Sequence, residues 1–436
     1  MPDENLPIKE YGEIVALAAA AVGLPVSEFR AAVAAVRKRW DRVRTMQIRD
    51  EEKVVRSRGF HRRLIRDYYF SRENTDLQQY TILLSNTQLP STIFTKSNRV
   101  GLSLPLASLK TQYVPLAPEP LYSNSFVHLS KSQAAKVANK LDLLGVQIWD
   151  QDLYRLAVDP FVGDKLNLSF SLSRFMRYRF TAGLLEDEVL DSLISNNNDI
   201  DAILQKHAKG LPLRSELLPS VDSLSNVTNR ISAGGLACVV AMARGTPDND
   251  YCIPLQLRSD RVAEGRGVYT ATIQAWHQPM LGNHQGEVKL YWTVLRELFE
   301  EAFGGEEVQG ESRRLRHDWY LEKCPGVAYI HRNPDAVTLE LLGFGVNALL
   351  GTYDCAILLA IHDPTYWDTY SSVMMSSWEA KGITSLSTRD PSPLLKDVFA
   401  SGWFDQGMFS LSQGLLRLQQ LNPQRAPIPS LGFELH

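Results

Sequence analysis

The first seventy residues carry apolar side chains at the spacing of amphipathic helices. An alanine-rich run from Ile14 to Val26 is interrupted at Gly23 and Pro25, residues that end helices. A second helix is predicted from Glu28 to about Arg44, with Ser27 as its N-cap. Its apolar positions recur at helical spacing and are Phe29, Val33, Val36 and Trp40. Two packed helices are therefore expected, with further helical sequence up to residue 70.

Between Thr75 and Gln112 the pattern changes to short apolar stretches separated by turns, which indicates strands. These stretches are Tyr80 to Leu84, Ser91 to Phe94 and Val100 to Leu104. The proline-rich segment from Pro115 to Pro120 then predicts an extended connector. Residues 1–115 are accordingly expected to form a helix-rich N-terminal region.

Residues 121–225 contain apolar residues at helical spacing and, elsewhere, at the alternating spacing of strands. This combination predicts a small α/β middle domain. Helices are expected over Ser130 to Leu144 and Phe175 to Leu193, and a half-buried strand over Lys165 to Leu172. The second helix contains an acidic triplet, Glu186-Asp187-Glu188. Consecutive residues diverge around a helix, so solvation is a better interpretation of this triplet than metal binding.

Residues 232–436 form the third predicted domain. Strands are expected over Leu236 to Ala243, Cys252 to Leu257, Val337 to Leu342 and Cys355 to Ile361. The glycine-containing stretch from Gly343 to Gly351 is interpreted as a turn and a bend. Helices over Pro391 to Ala400 and Ser410 to Leu421 are expected to close the domain. The overall fold class is α+β.

Composition describes a globular chain with no strong charge preference. Its net charge of -3 over 436 residues gives no global attraction to nucleic acid or membrane. The four cysteines stand singly in apolar surroundings, which indicates buried thiols in a reducing compartment. The acidic start Met-Pro-Asp-Glu-Asn does not suit a signal peptide, and Ile14 to Val26 is too short to span a bilayer. We therefore expect a cytoplasmic protein without membrane association.

One local exception is basic. From Arg37 to Arg66 there are twelve Lys or Arg residues against four acids. Such a segment can attract nucleic acid by neutralising phosphates. A solvated helical face, or contacts with acidic patches elsewhere in the protein, is the favoured interpretation, because no recognised DNA-binding spacing accompanies the charge.

The strongest chemical signal lies between Gly282 and Gly304. On a helix, Glu297, Glu300 and Glu301 fall within about 100° of one another. The opposite side carries apolar residues, namely Leu295, Leu298, Phe299 and Ala302. Three clustered carboxylates suit a divalent cation such as Mg²⁺ or Mn²⁺, although an ordinary surface helix has the same composition.

This segment resembles the Nudix box of the Nudix hydrolase superfamily. That pattern is Gly, five residues, Glu, seven residues, then Arg-Glu-apolar-any-Glu-Glu-any-Gly-apolar. Aligned without gaps, Gly282 takes the first glycine, and the core is taken by Arg296, Glu297, Leu298, Glu300 and Glu301. The preceding apolar stretches match the strands that lead into the box in this superfamily, so the resemblance covers about residues 232 to 415.

Two positions depart from the box pattern. Val288 stands where the first glutamate belongs, with Glu287 one residue early. Phe303 stands where the second glycine belongs, with Gly304 one residue late. The first change is expected to remove a contact that fixes the loop, and the second to alter how the helix ends. Both leave the three core carboxylates in place.

The resemblance implies a Nudix-like mixed sheet between helices and a metal-dependent attack of water on a diphosphate linked to a nucleoside or a similar group. Glu300 and Glu301 would be the main ligands of Mg²⁺ or Mn²⁺, and Glu297 would complete the set or take the proton of the water. Arg296 would hold a glutamate in position. The base often comes from a later loop in this family, and Glu340 or Glu379 could supply it.

Residues before the box are candidates for substrate binding. Arg258 and Arg261 could donate to phosphate oxygens, although exposed structural arginines are equally compatible with the sequence. Trp276 and His277 could contact a base or a sugar. A histidine beside a tryptophan is, however, more often a packed residue than a catalytic one.

A non-catalytic function remains open beside the hydrolase. The altered box could form a Nudix-like pocket that senses a nucleotide-type small molecule and signals to the N-terminal half, whose basic segment would then contact DNA or a partner. The resemblance also implies that pairing as a homodimer is an expected assembly.

Overall fold

The computed structural model describes residues 11–70, 76–84, 87–115, 117–146, 148–259, 262, 267–280, 282–305, 316–374, 380–390, 395, 402–428 and 431–436. Three sequence predictions concern other parts of the chain. Arg261, Glu379 and, apart from residue 395, the helix expected over Pro391 to Ala400 lie outside the described residues.

The N-terminal segment is helical, as its apolar spacing predicts, but the helix boundaries differ. The helices are α1 (Tyr11–Ala21), α2 (Val26–Arg37), α3 (Arg42–Ser57) and α4 (Phe60–Phe70). Helix α2 follows Pro25 without a side-chain cap, so Ser27 is not its N-cap, and it ends before Arg44. Asp41 explains the early end, because its carboxylate accepts a hydrogen bond from the Arg44 N–H and caps α3.

Most of the described strands belong to one sheet. The strands are β1 (Gln78–Leu84), β2 (Thr87–Thr95), β3 (Leu104–Pro105), β4 (Thr111–Tyr113), β5 (Asp152–Leu156), β6 (Leu168–Arg174), β7 (Gly234–Ala243), β8 (Tyr251–Arg258), β9 (Tyr269–Thr270), β10 (Ile273–Trp276), β11 (Val337–Asn347), β12 (Thr352–Ile361), β13 (Ala380–Ser387) and β14 (Leu431–Leu435). The main sheet has the order β13–β8–β7–β12–β11–β2–β1–β14, with β3, β9 and β10 paired to β11, β8 and β7. The other three strands form a small sheet in the order β4–β6–β5.

The main sheet is mixed and buried at its centre. Strands β7 and β12 run parallel, whereas β7 with β8 and β11 with β12 are antiparallel. Alternate side chains of β7 enter two different apolar clusters: Cys238 and Val240 enter one, and Val239 and Ala241 the other. Both faces of the sheet are therefore covered, and the α+β class with a mixed sheet between helices is confirmed.

Twelve further α-helices are described after the first strands. They are α5 (Asn124–Leu143), α6 (Phe175–Arg179), α7 (Leu184–Ser195), α8 (Ile200–Leu204), α9 (Pro212–Leu217), α10 (Asp222–Ser225), α11 (His284–Glu287), α12 (Leu290–Ala302), α13 (Tyr320–Lys323), α14 (Pro325–Arg332), α15 (Pro364–Tyr370) and α16 (Asp405–Leu421). Helix α16 packs on β7 and β12, and α12 packs on β10. The helix that carries the clustered glutamates thus lies directly against the sheet.

Two boundary predictions are corrected by local geometry. Helix α5 begins earlier than predicted, because the hydroxyl of Ser123, and not that of Ser130, caps it by accepting the Phe126 N–H at 3.0 Å. The stretch from Gly343 to Gly351 is not simply a turn and a bend. Strand β11 continues through it to Asn347, with an irregularity in its register after Leu341.

The three predicted ranges do not have separate cores. One apolar cluster includes Val15 of the N-terminal region, Leu190 of the middle segment and Val294 of the C-terminal segment. Strand β2 also pairs with β11, where Phe94 lies opposite Val346. Residues of all three predicted ranges therefore share one apolar cluster, and the division into domains stays a prediction.

Three arginines of the basic segment pair with acids elsewhere in the protein, whereas six of its twelve basic residues are exposed. Arg37 pairs with Asp142, Arg56 with Glu186, and Arg62 with Asp405. These contacts match the predicted alternative of acidic patches elsewhere in the protein, since each acid lies far away along the sequence.

The acidic triplet Glu186-Asp187-Glu188 is buried, so its predicted solvation is wrong. Asp187 contacts Lys140 at 2.8 Å and Arg179 at 2.7 Å. Burial raises the pKa of Asp187, but these two cations outweigh that effect and hold it well below its ordinary range. The triplet is therefore a structural ion-pair centre that packs α3, α5 and α7 together.

Within the described residues, no single helix has the length and apolar character needed to cross a bilayer. Helices α1 and α2 reach that length only when taken together, and they meet at a bend of 117°.

Candidate active site

Helix α12 presents its carboxylates to a pocket. Leu290, Val294 and Leu298 recur every four residues and are buried in the core, which fixes the rotation of the helix. The polar side carries Glu297, Glu300 and Glu301, which are 7%, 8% and 4% exposed and line one pocket. The clustering predicted from the helical spacing is therefore observed, and the three side chains do not project into bulk water.

The pocket lies where several elements meet. Its walls come from α12, from the ends of β7, β8, β10 and β12, from the start of α16, and from the middle segment. The middle segment contributes Ile148, Trp149, Gln151 and Phe175. The empty space inside the pocket and its mouth, open solvent included, is about 1070 Å³.

Backbone contacts dock the middle segment on this region. The Tyr154 N–H donates to the carbonyl oxygen of His277 at 2.9 Å, and the Tyr154 hydroxyl donates to the carbonyl oxygen of His284 at 2.7 Å. Strand β5 is thereby attached to the segment between β10 and α12, and the residues before β5 form a pocket wall. This wall could not be predicted from the sequence, because nothing in the local pattern around Trp149 indicates which distant element it meets.

Arg296 holds the glutamate helix against the preceding loop. Its guanidinium contacts the Glu297 carboxylate, donates to the carbonyl oxygen of Gln278 at 3.1 Å and lies 3.9 Å from Glu300. Burial lowers the pKa of Arg296, but the two carboxylates outweigh burial and raise it above its ordinary value. The predicted positioning of a glutamate by this arginine agrees with the geometry.

Glu301 is tied to the sheet. Its Oε2 accepts the backbone N–H of Gln274 at 3.1 Å and lies 3.4 Å from the side-chain amide of Gln256. These contacts link α12 to β10 and β8. The orientation of this carboxylate is consequently set by two strands and not by the helix alone.

The loop before the box is fixed by the displaced glutamate. Glu287 accepts the N–H of Met280 at 2.9 Å and the N–H of Asn283 at 3.0 Å, one on each side of Gly282. Gly282 has a φ of 75°, a conformation that favours glycine. The expected loss of the loop contact is therefore wrong, since Glu287 supplies such a contact from one residue earlier.

The end of α12 is well formed although Phe303 stands in place of the second glycine of the box pattern. Helix α12 ends at Ala302, and the shifted Gly304 has a φ of 63°. The Gly305 N–H then donates to the carbonyl oxygen of Phe299 at 2.9 Å. A glycine one residue late thus allows the chain to turn back directly after the helix.

Asp354 is a pocket residue that sequence reasoning missed. It lies on β12, is 2% exposed and lines the pocket together with the three glutamates. Across the sheet, Gly235 of β7 lies opposite Asp354 on one side and opposite Trp276 on the other. The available signal was a single charged residue inside an otherwise apolar strand, because such residues are rarely buried without a function or a partner.

The predicted substrate residues have different locations. Arg258 and Trp276 line the pocket, and the Arg258 guanidinium lies 5.9 Å from the ring centre of Phe404. Arg261 lies outside the described residues. Glu340, one of the two candidate bases, is held by Arg417 at 2.8 and 3.1 Å and is not among the pocket-lining residues. Its predicted catalytic role therefore has no support from this geometry.

His277 is a packed residue and not a pocket contact. Its ring is fully buried between Tyr154 and Phe170, with centroids at 4.4 and 4.8 Å, and its Nδ1 lies 3.1 Å from the Tyr353 hydroxyl. Burial, with a smaller contribution from Arg296, lowers the pKa of His277 to about 3. Strand alternation explains the correction, since adjacent residues such as Trp276 and His277 point to opposite sides.

The donor set agrees with a hard divalent cation in its chemistry. Among the described residues, four carboxylates line the pocket, from Glu297, Glu300, Glu301 and Asp354, whereas its arginines are Arg258 and the adjacent Arg296. An excess of buried carboxylates favours a bound cation, and oxygen ligands suit Mg²⁺ or Mn²⁺.

The side chains of the pocket carboxylates are not oriented toward one metal position. No three His, Cys, Asp or Glu side chains of the described residues surround a common metal position. Glu297 contacts Arg296, and Glu301 contacts the Gln274 backbone. Binding of one ion by the glutamates therefore requires some of these side chains to turn away from their present partners.

Comparison with known proteins gives no match: neither a protein-family model nor a curated protein matches the chain.

Proposed function

We propose that this protein is a metal-dependent hydrolase that cleaves the diphosphate of a nucleotide-type substrate. The observation that carries the proposal is the convergence of Glu297, Glu300, Glu301 and Asp354 on one pocket that Arg258 also lines. This arrangement offers oxygen ligands to a cation and a guanidinium to a phosphate. The resemblance of the helix to the Nudix box supports the same assignment.

The residues around the pocket suit distinct tasks. Glu300 and Glu301 would hold Mg²⁺ or Mn²⁺, with Glu297 as a further ligand. When bound, such an ion neutralises phosphate oxygens and makes water a better nucleophile. Arg296 positions the glutamates through its contact with Glu297.

Two further side chains face the reacting group from other walls. Arg258 would bind a phosphate oxygen, since its guanidinium is a planar donor in the pocket wall. Asp354 would accept the proton of the attacking water, because it is the lining carboxylate that belongs to the sheet and not to α12. This role replaces the one predicted for Glu340.

The proposal is tested by incubating the purified protein with a panel of nucleoside diphosphate compounds and Mg²⁺ and measuring phosphate-ester products. Turnover should fall by about a hundredfold or more in Glu300→Gln and Glu301→Gln. The exposed Glu322 on α13 offers a matched control, and Glu322→Gln should retain activity. Hydrolysis that is independent of metal, or equal in all three variants, would contradict the proposal.

A nucleotide sensor is the second candidate, and one contact favours it. Arg62 of α4 donates to the carbonyl oxygen of Trp403 at 2.6 Å and to the Asp405 carboxylate at 2.8 Å. The neighbouring Phe404 and Gln406 line the pocket. A ligand in the pocket would therefore contact the segment around Phe404 and Gln406, which Arg62 of the basic region binds on either side of Phe404. Ligand-induced thermal stabilisation without turnover, for any compound in the panel, would favour the sensor over the enzyme.

A further inference from the structure

The main sheet ends in two strands whose edges differ. The order of the sheet places β13 at one end and β14 at the other. Strand β13 has an irregularity in its register between Ala380 and Gly382, and it carries the exposed Lys381. Bulges and lysines are two means by which proteins keep an edge strand from pairing with other molecules.

Strand β14 lacks both of these protections. Its pairing with β1 is regular from Leu431 to Leu435, and its sequence, Leu-Gly-Phe-Glu-Leu, contains no lysine and no proline. Within the described residues, β14 pairs with β1 and with no other strand. A regular and largely apolar edge of this kind is a template for a further strand.

The hydrogen bonds to β1 show which backbone groups of β14 point to the open edge. The Gln79 N–H donates to the carbonyl oxygen of His436 at 2.7 Å, and the His436 N–H donates to the carbonyl oxygen of Gln79 at 3.1 Å. Bonded and non-bonded pairs alternate in an antiparallel ladder, so the even-numbered residues of β14 are those that bond β1. The backbone groups of the odd-numbered residues therefore point away from β1. These residues are Leu431, Phe433 and Leu435.

The same three positions also carry the apolar side chains of the strand. Leu431, Phe433 and Leu435 pack against the apolar cluster that α16 covers, and the Phe433 ring stacks on Tyr80 with centroids 5.3 Å apart. All three are half-buried. A strand added at this edge would cover apolar surface that remains accessible to water, which is favourable.

We propose that this protein forms a homodimer in which β14 pairs antiparallel with β14 of a second copy, with the two-fold axis at Phe433. In this register Phe433 lies opposite its own counterpart, and Leu431 lies opposite Leu435 of the second copy. Each of these pairs exchanges two hydrogen bonds, because their backbone groups are the ones that point to the open edge. The strand is its own complement, since these positions are spaced symmetrically about Phe433.

Charge and strand length select this register over its neighbours. An axis at Glu434 would place that carboxylate opposite its own copy, and like charges in such a position are destabilising. An axis at Gly432 would leave Leu435 beyond the end of β14 of the second copy. With the axis at Phe433, Glu434 lies opposite Gly432 of the second copy, and its own Oε2 is 3.0 Å from His436 Nε2.

The length of the contact sets the expected affinity. Five residues extend about 17 Å, so the strand pair is smaller than a standard interface of about 800 Å² per partner. We expect a dissociation constant of about 10–100 µM. Strands β1 and β14 lie outside residues 232–415, which carry the family resemblance, and the dimer does not depend on the proposed function.

Sedimentation velocity of the full chain from about 1 to 500 µM tests the association. The mass should rise from that of one chain to that of two. A monomer at every concentration would overturn the proposal and would leave the edge to a strand of a different protein. Growth beyond two chains would also overturn it, because a two-fold contact closes the assembly.

Position 432 allows a test of the register by charge. A Cβ at Gly432 would lie 3.7 Å from the Leu83 side chain, an ordinary contact distance, so a longer residue fits the single chain. Gly432→Lys should tighten the dimer by about threefold or more, and Gly432→Glu should weaken it by a similar factor, because each new charge faces Glu434 of the second copy. The double variant Gly432→Glu/Glu434→Lys should associate again.

The other edge of the sheet supplies the matched control. A Cβ at Gly382 of β13 would meet nothing within 4 Å, so the same substitutions are tolerated there. Gly382→Lys and Gly382→Glu should dimerise as the wild type does. Equal shifts at both positions would reflect net charge alone, and a response at Gly382 only would assign the contact to β13. Either result, or a dimer indifferent to all four substitutions, would overturn the proposal.

Discussion

The Arg62 guanidinium and the Asp405 carboxylate form a buried ion pair, with Nε and Oδ1 2.8 Å apart. The pair joins α4 of the N-terminal region to the first turn of α16. Asp405 also accepts a hydrogen bond from the Thr92 hydroxyl at 3.0 Å, so three distant segments meet at one carboxylate. Because the next residue, Gln406, lines the pocket, the pair connects the helical region with the candidate site.

We expect Arg62→Met to lower the free energy of unfolding by about 3 kcal/mol or more, because the buried Asp405 loses its main counter-charge. Urea denaturation monitored by circular dichroism measures this loss. Arg58→Met, at an exposed position between α3 and α4, should change stability by less than about 0.5 kcal/mol. In the double variant Arg62→Met/Asp405→Asn, part of the stability should return. Additive losses would indicate that the two side chains do not interact.

His277 makes stability dependent on pH. Its pKa falls from 6.5 to about 3 on folding, chiefly through burial. The neutral ring is therefore compatible with the folded state, and only the unfolded chain takes up a proton just below pH 6.5. The contribution of His277 to the free energy of unfolding is present above about pH 6.5. It is lost progressively as pH falls toward 3, by up to about 4 kcal/mol.

The measurement compares urea denaturation of the wild type and of His277→Gln, which cannot take up this proton, at several values of pH. The difference in unfolding free energy between the two proteins should shrink as pH falls from 7 to 4. If the two curves of stability against pH ran parallel, the assignment of the effect to His277 would be wrong.

Lys140 holds two acids in the interior. Its Nζ lies 2.6 Å from Glu52 and 2.8 Å from Asp187, and its side chain is 3% exposed. Lys140→Met should lower the free energy of unfolding by about 3–5 kcal/mol, because it leaves buried carboxylates with less counter-charge. Lys136 lies one turn earlier on α5 and pairs with Asp191 at a more exposed position. Chemical denaturation of Lys136→Met should show a change below about 1 kcal/mol.

Asp354 is expected to affect turnover more than binding. If it accepts the proton of water, Asp354→Asn should lower kcat by about 10²–10⁴-fold while the Kd of a nucleotide ligand changes little. Steady-state kinetics and calorimetry with Mg²⁺ separate the two quantities. The exposed Asp368 on α15 supplies the control Asp368→Asn. An unchanged kcat in a folded Asp354→Asn protein would remove Asp354 from the mechanism.

Features that depend on local periodicity could be predicted from the sequence. The face of α12 follows from the spacing of Leu290, Val294 and Leu298, so the helical period alone is enough to group its carboxylates. The buried strands β7 and β12 follow from continuous apolar runs. The predicted positions of the helix ends were less accurate, because a single polar side chain such as Asp41 or Ser123 decides where a helix starts.

Long-range contacts account for what was missed. The pairing of Phe94 with Val346, and the position of Trp149 beside the glutamate helix, depend on segments far apart in the sequence. The burial of Glu186-Asp187-Glu188 likewise depends on cations supplied by other helices. A triplet of acids looks the same in sequence whether it faces water or such partners.

The pairing of β2 with β11 affects how the chain can be divided. A fragment that began near residue 232 would lack β1 and β2 and would leave the β11 edge open at Val346 and Asn347. The unpaired backbone groups of an open edge strand can hydrogen-bond with a strand of another molecule, so such a fragment should self-associate. The N-terminal half thus covers an edge of the sheet in the half that carries the glutamate helix.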